Sequence, residues 1–543
     1  MTARVIHSES LEWLRSQPDN TIDAIVTDPP YGLSNHTPKA IRECLAKWLA
    51  GETYTHKGAG FMGREWDAFV PGPELWGECL RVLKPGGYAL VFAGTRTVDI
   101  MGIALRLAGF DLRDSILAWV YGSGFPKSLS LSSAIEKQRD DRDEVLQVTA
   151  WIRAARDAAG LTNADLDRPF GFAGMAGHWT SAASQPSVPT LEQVPILLQA
   201  LGDPEVPAEI ARLLVDLNGA KGQPGEAWSR RAVVGQYKNP APGNHWRAKW
   251  AGGSDGTAHP VTTPATDDGR RFQGYGTALK PAHEPIIVAR KPLDGTHAHN
   301  ALKWGTGGIN VDECRVASNG DHKRGVVNGA ETGRAVAYAA ASHGGMSGAG
   351  FVATDHPGGR WPTNVVLSPD IVPELERQGG DARFFPVFDP PFRYCPKASR
   401  AEREAGCEHL EPMTREDVTG RGEDSAGQNH PRSGMTRRGE IRNTHPTVKP
   451  ARGLMAWLVR LVTPPNPDAV VLDPFAGSGS TGIACVHERV HFVGVELDER
   501  HVEIARARIA HAMAEAGLTA RDLEDLDEAD AVTPSGPAQV CLL

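Results

Sequence analysis

Cysteine is scarce in this chain: seven are scattered over 543 residues, and none forms a C-x-x-C pair. That spacing speaks against a disulfide scaffold and a cysteine-rich zinc site, and suits a reducing cytoplasm. No metal site is expected. No apolar run is long enough to cross a bilayer, and no secretory leader precedes the first polar residues, so neither anchor nor export is expected. Basic charge is not in excess either: 57 Lys and Arg stand against 66 Asp and Glu, a formal net charge of −9. This excludes a strong nonspecific polyanion binder as a whole-chain property, while leaving room for a local basic cleft. The length exceeds what one compact core holds, and implies several domains or one domain with large insertions.

What is present centres on VVLDPFAGSGSTGIA, residues 470–484. An apolar β-type run turns through Asp473-Pro474-Phe475 into glycine and hydroxyl residues, and a helical pattern follows Thr481. A strand, a tight loop and a helix N-terminus point backbone N–H groups and the helix dipole at a ligand. Gly477, Gly479 and Gly482 make a G-x-G-x-x-G, and Glu496 closes the next apolar run, FVGVE, 19 residues after Gly477. An acidic residue at that distance can hold a ribose hydroxyl pair, as in a nucleotide-type cofactor site of a doubly wound α/β fold. The plain alternative is a glycine turn that only packs strand on helix.

A second stretch, TDPPYG (residues 27–32), follows a buried apolar run at 22–26. Ligands of open α/β sheets lie beyond the carboxyl ends of strands, so Asp28-Pro29-Pro30-Tyr31 stands where chemistry belongs. The two prolines fix the backbone and, lacking N–H groups, leave only carbonyls to offer. A third stretch, THPTVKP (residues 444–450), lies just upstream of the glycine loop.

At these three motifs the chain resembles the S-adenosylmethionine-dependent amino-methyltransferases of DNA. The catalytic motif precedes the cofactor loop, which is the order of the beta class. The resemblance implies catalytic roles for Asp28, Pro29, Pro30 and Tyr31. It implies cofactor contacts from His445, Thr447, Lys449, Asp473, Pro474, Phe475, Gly477, Gly479, Ser480, Thr481 and Glu496. The chemistry explains the residue types. An exocyclic base amine is a poor nucleophile because its lone pair is delocalised into the ring. Acceptance of its two N–H groups by the Asp28 carboxylate and the Pro29 carbonyl would favour a more tetrahedral nitrogen. Tyr31 would stack on a base flipped out of the duplex. Glu9 matches an acidic position that holds the base edge in the family. No Pro-Cys dipeptide occurs, so the nucleophile of cytosine-C5 methylation is missing. A motif that starts with Asp favours adenine N6, with cytosine N4 as the alternative. Two other readings stay open: a DNA-binding regulator that has lost catalysis, and an NAD-binding oxidoreductase. The absence of a nuclease-like block of acidic residues and lysine favours a stand-alone, phage-type modification enzyme.

The expected fold is α/β, a Rossmann-like doubly wound sheet of seven strands whose last pair is antiparallel, interrupted by large insertions. Residues 1–127 form the catalytic half, with strands near 5–6, 22–26, 88–92 and 116–120, helices at 10–16, 76–82 and 98–107, and a turn at 83–87. Residues 128–277 form an insertion, and 278–296 return a closing strand at 285–289. Residues 297–443 hold a target-recognition region, where Tyr394, Lys397 and Arg400 could line a DNA path, and a mobile polar loop. Residues 444–515 form the cofactor half, and 516–543 a disordered acidic tail. Within the insertion, the cadence from 151 to 202 resembles the helix-turn-helix of phage repressors. Residues 174–184 would then enter the major groove, with His178, Trp179, Thr180 and Ser181 near base edges. Residues 229–271 read as an irregular loop in which Trp246, Arg247, Lys249 and Trp250 interleave charge with aromatic faces, as a nucleic-acid surface would. The expected partner is double-stranded DNA; a homodimer is left open.

Overall fold

The computed structural model describes residues 1–32, 36–56, 67–113, 116–121, 128–171, 174–183, 185–220, 224–238, 258–279, 282–316, 361–367, 371–379, 385, 387, 400–413, 441–445 and 448–518. In chain order its strands are β1 (Ala3–His7), β2 (Ile22–Thr27), β3 (Leu83–Phe92), β4 (Asp111–Leu112), β5 (Leu117–Val120), β6 (Ala232–Lys238), β7 (Ala258–Thr263), β8 (His283–Arg290), β9 (Val365–Leu367), β10 (Val470–Asp473) and β11 (His491–Glu496). The chain divides into two units: Met1–Gly124 with Pro281–Leu543, and Phe125–Lys280.

The first unit is built on one mixed sheet of nine strands, ordered β1-β11-β10-β2-β3-β8-β5-β9, with β4 beside β8. Strand β8 runs antiparallel to β3, β4 and β5, and the other pairings are parallel. Both faces are covered, which is why the central strands read as continuous apolar runs rather than alternating ones. Ala24, Val26, Val471 and Phe492 point into one core, with the helices Ala456–Val462, Ser480–Glu488 and Glu499–Glu515. Ile22, Ile25, Leu472 and Val493 point into the other, with Pro73–Val82 and Val98–Leu107. The order reverses between β10 and β2, the switch point at which open α/β sheets bind their ligands.

Three features differ from the sequence expectation. Among the described residues the seven expected strands are all present and are joined by β4 and β9, which are only two and three residues long, too short to carry a pattern. The turn at 83–87 is absorbed into β3, as a register irregularity against Ile22 and Ala24. Gly86 has φ 77° there, and a Cβ would come within 2.4 Å of the Asn300 side-chain amide. Strand β8 also begins earlier than residue 285, which brings Glu284 into the sheet.

The second unit has a helical core and a ribbon. Helices Arg142–Ala158, Asn163–Asp167, Met175–Trp179, Gln193–Ala200 and Ala208–Gly219 bury a shared cluster that includes Val148, Ile152, Leu166, Trp179, Leu197 and Leu213. Strands β6 and β7 pair antiparallel. They lie in the stretch expected to be an irregular loop, where their β-branched residues (Val233, Val234, Val261, Thr262, Thr263) favour a strand. No described helix of either unit is long and apolar enough to cross a membrane.

Candidate active site and cofactor cradle

The carboxyl ends of β2 and β10 lie side by side, and a buried hydrogen bond joins them: the Thr27 hydroxyl donates to Asp473 Oδ1 at 2.7 Å. Each strand then delivers one motif. After β2 the backbone of Tyr31 and Gly32 is pinned by Asp67, whose Oδ1 accepts both amides at 3.0 Å. Thr97 donates to the Tyr31 carbonyl at 2.6 Å. Gly32 has φ 62°, and a Cβ would meet the Val70 amide nitrogen at 2.9 Å, so the residue after the tyrosine has to be glycine.

The side chains of this loop form one charged cluster. The Tyr31 hydroxyl donates to Asp28 Oδ1 at 2.6 Å. Lys449 Nζ donates to Tyr31 Oη at 2.9 Å and to Glu284 Oε2 at 2.5 Å, and stands 3.3 Å from Asp28 Oδ1. The same ammonium lies over the rings of Phe92, Tyr31 and Trp119, at 4.5, 5.3 and 6.0 Å from their centroids. Burial pushes the Asp28 carboxyl above its ordinary range and Glu284 adds to this, while Lys449 and the tyrosine hydroxyl oppose it. Burial likewise raises Tyr31 well above a normal phenol, helped by the two carboxylates. Burial works against the charge of Lys449, but Asp28 and Glu284 outweigh it and keep the ammonium protonated. Tyr121, just past β5, is pushed up to about 12 by burial and by Glu284.

After β10 the chain forms a cradle. Asp473 is buried; its Oδ2 accepts the Thr481 hydroxyl at 2.6 Å and its Oδ1 the Phe475 amide at 3.1 Å. Burial raises its carboxyl to about 6 against those donors. Asp473 and Thr481 thus shape the loop, and their polar atoms are turned on each other. Pro474 offers its carbonyl to Ser10 at 2.5 Å. Gly479, at φ 77°, caps the helix Ser480–Glu488, and a Cβ there would press on Ala505 at 3.1 Å. Gly477, at φ 53°, leaves room for the His445 ring, which a Cβ would meet at 2.7 Å. Glu496 Oε2 accepts the Gly477 amide at 2.8 Å and its Oε1 the Asp498 amide at 3.0 Å. Burial would raise Glu496, but the donors around it, with His501 and His445, bring it below the usual carboxylate range. The Ser480 hydroxyl, buried at the helix start, has no hydrogen-bond partner among the described residues. An ionised carboxylate, a helix N-terminus and an orphaned hydroxyl around a glycine loop fit a group carrying a ribose and polar substituents.

The structure therefore brings Asp28, Pro29, Pro30 and Tyr31 next to the glycine loop, and splits the 444–450 motif between the two. His445 stacks edge-on to His501 (4.6 Å) at the cradle, whereas Lys449 belongs to the Asp28 cluster. Thr447 lies outside the described residues. Glu9 is exposed and its carboxylate caps the helix Ser10–Ser16 through the Glu12 amide at 2.7 Å.

In the second unit, Trp179 is fully buried against Phe170 and Thr180 is buried too. Neither can present to a base edge, which corrects the expectation for both: the aromatic ring is worth more in the core than on a wet groove face. The short helix Met175–Trp179 leaves Met175, Gly177 and His178 outward, with His178 Nδ1 3.0 Å from the Gln185 carbonyl oxygen. Trp246, Arg247, Lys249, Trp250, Tyr394 and Lys397, residues 414–440 of the mobile loop expected over 411–443, and residues 519–543 of the expected acidic tail lie outside the described residues.

Sequence reasoning missed Glu284, Asp67, Thr97 and Arg508. Glu284 had a usable signal, a lone acid at the start of an apolar strand. Arg508 is buried in the helix Glu499–Glu515; it holds the Ser478 carbonyl and hydroxyl and donates to the Glu402 carbonyl at 3.1 Å. Burial pushes its guanidinium down to about 10.

The model of an N6/N4 methyltransferase family, described as DNA methylase, matches residues 271–507. YubD of Escherichia coli K12, provisionally named a methylase, is 44% identical over 66 residues, 12% of this chain and 28% of that protein. The type II methyltransferase M2.MboI of Moraxella bovis is 39% identical over 64 residues, 12% of this chain and 22% of that protein. The chain thus spans about a quarter of the length of these relatives. Among solved structures, TTHA0409 of Thermus thermophilus, provisionally named a DNA modification methylase and complexed with S-adenosyl-L-methionine, is similar at 13% identity. That alignment has a TM-score of 0.29 and covers 94% of this chain and 95% of that one.

Proposed function

We propose that the chain, whose residues 271–507 match the model of an N6/N4 methyltransferase family described as DNA methylase, methylates an exocyclic amine of double-stranded DNA with S-adenosylmethionine. The observation that carries this reading is the pairing of Asp28-Pro29-Pro30-Tyr31 with the glycine cradle across the β2–β10 switch point, tied by the Thr27–Asp473 bond. Glu496 would hold the ribose hydroxyls, and the Ser480 hydroxyl and the helix N-terminus would meet polar groups of the cofactor. When bound, the cofactor supplies a methyl group already activated on a sulfonium. Asp28 has Oδ1 engaged by Tyr31 and Lys449, so Oδ2 is the atom to accept an amine N–H, with the Pro29 carbonyl taking the other. Tyr31 stacks on the flipped base. As the nitrogen gains its methyl group it sheds a proton, and the Asp28 carboxylate, made more basic by burial, is placed to take it.

Adenine N6 is the preferred target, because the motif begins with Asp. Cytosine N4 is the second reading. Incubation with cofactor and mixed-sequence duplex, digestion to nucleosides and mass spectrometry separates the two. Binding of S-adenosylmethionine without any methylated nucleoside would support the catalytically inactive regulator instead, and preferential binding of NAD would support the oxidoreductase.

Glu496→Ala is expected to weaken cofactor binding by roughly 1.5–3 kcal/mol, the scale of hydrogen bonds to a charged group. The Gly477 and Asp498 amides also lose their acceptor, which loosens the loop. Calorimetry reads this directly, and an unchanged Kd removes Glu496 from the cofactor site.

A further inference from the structure

Strand β8 is the antiparallel member of the sheet, so its amino end lies at the edge where the parallel strands have their carboxyl ends. Glu284, opposite Trp119 of β5, is thereby placed beside the Asp28 loop. Lys449 has three N–H bonds and three acceptors around it: Tyr31 Oη, Glu284 Oε2 and Asp28 Oδ1. Its side chain is 9% exposed, and those of Asp28 and Glu284 are 18% and 19% exposed. The contact with Glu284 is the short one, 2.5 Å against 3.3 Å to Asp28. Two carboxylates sharing one buried ammonium leave the cluster with a net negative charge. Partly buried ion pairs seldom stabilise a fold, and the second carboxylate adds repulsion. Its presence needs another reason.

We propose that Glu284 is a positioning residue of this site: it draws the Lys449 ammonium toward itself, and so keeps Asp28 from being neutralised by a full ion pair and leaves it able to accept an amine proton. This rests on the amino-methyltransferase reading of the same loop. Lys449 in turn orients the Tyr31 hydroxyl, through the 2.9 Å bond, and with it the ring that would meet the base. The groups facing Asp28 are Tyr31 on its own loop, Glu284 on β8, Lys449 from the 448–450 segment and Asp473 at the end of β10, with Tyr121 past β5 facing Glu284. Of these, Glu284 and Lys449 bear on Asp28 with opposite sign.

The test is the direction of two shifts. Glu284→Gln keeps the side-chain shape, removes the like charge and lets Lys449 close on Asp28. The acid limb of the kcat–pH profile then moves to lower pH and kcat at the plateau falls about 100-fold, the scale of a small misplacement. Lys449→Met moves the acid limb to higher pH. Glu284→Asp, which retains the charge, restores the wild-type limb, and the Kd for S-adenosylmethionine of Glu284→Gln stays within threefold (about 0.7 kcal/mol). The same opposite movements are expected for the Asp28 resonance in 13C-carboxyl NMR of aspartate-labelled protein without DNA or cofactor, assigned by its loss in Asp28→Asn. Shifts in the same direction, or none in Glu284→Gln, overturn the proposal; if Lys449→Met does not fold, the direction in Glu284→Gln decides alone. Wild-type protein that yields no methylated nucleoside overturns the function instead, and the NMR arm still reports on the positioning.

Discussion

Asp28→Ala is expected to lower methylation by at least ~10²-fold, and up to ~10⁴-fold, the range lost when a positioned acid–base group is removed. Cofactor affinity should stay within about tenfold, or ~1.4 kcal/mol. The separation follows from the geometry. Asp28 bonds to Tyr31 and Lys449, and none of the hydrogen bonds that shape the glycine cradle runs through it. Nor should the substitution strand a buried cation, because Lys449 keeps its 2.5 Å contact with Glu284 and its bond to Tyr31. Tyr31 loses the acceptor of its hydroxyl but remains held through its backbone by Asp67 and Thr97. The measurement is a pair: initial methylation rate and equilibrium cofactor binding on the same preparation. Activity retained together with a cofactor Kd weakened beyond tenfold would move Asp28 from the amine to the cofactor.

The central sheet was readable in the sequence because its strands are buried on both faces. Runs such as Ile22–Thr27 and Val470–Asp473 are apolar enough to need no neighbours to identify them. The two loops at the switch point were readable because glycine and proline carry conformational constraints that show in the letters themselves. Residues defined by partners from elsewhere in the chain were not readable. Asp67 is an ordinary acid in the sequence, and acts only because Tyr31 and Gly32 fold onto it. Glu284 carried a signal, a lone acid at the start of an apolar strand, but it lay one residue outside the strand expected at 285–289, and its partner Lys449 comes from far along the chain. Lys449 was placed with the cofactor by motif alone, yet four positions of chain, from His445 to Lys449, carry it from the cradle to the Asp28 cluster. Trp179 shows the opposite error. A tryptophan in a groove-facing position looks like a reader, and burial against Phe170 makes it part of the core.

The helical core of the second unit is where sequence recognition is expected to lie. Removing it is expected to reduce the ratio of specific to nonspecific DNA affinity by ~10³ or more, while nonspecific, salt-dependent binding persists. A cut at 144–202, around the helix-turn-helix cadence, would fall inside the buried cluster of this core. It would leave the helix Ala208–Gly219 with Ile210, Leu213, Leu214 and Leu217 uncovered. The buried cluster begins at Val148 and ends at Leu217, so excision of the whole set of helices exposes no partner of that cluster. The chain also returns to where it left. The Gly225 amide bonds the Lys137 carbonyl at 3.2 Å, and the Arg139 guanidinium bonds the Ala220 carbonyl. Replacing residues 140–222 with a short glycine-serine linker should therefore spare Trp228, flanked by Lys137 and Arg231, and Glu136, held by Ala265 and Thr266. The excised protein is expected to unfold cooperatively and to bind S-adenosylmethionine as the full chain does. Competition between a cognate duplex and random DNA at two salt concentrations gives the specificity ratio. An unchanged ratio would move recognition out of these helices and into residues 300–443. Arg139, whose partners Asp141 and Ala220 leave with the excision, is replaced by glutamine in the same variant, so that loss of the cooperative transition would instead make the helices part of the folding unit.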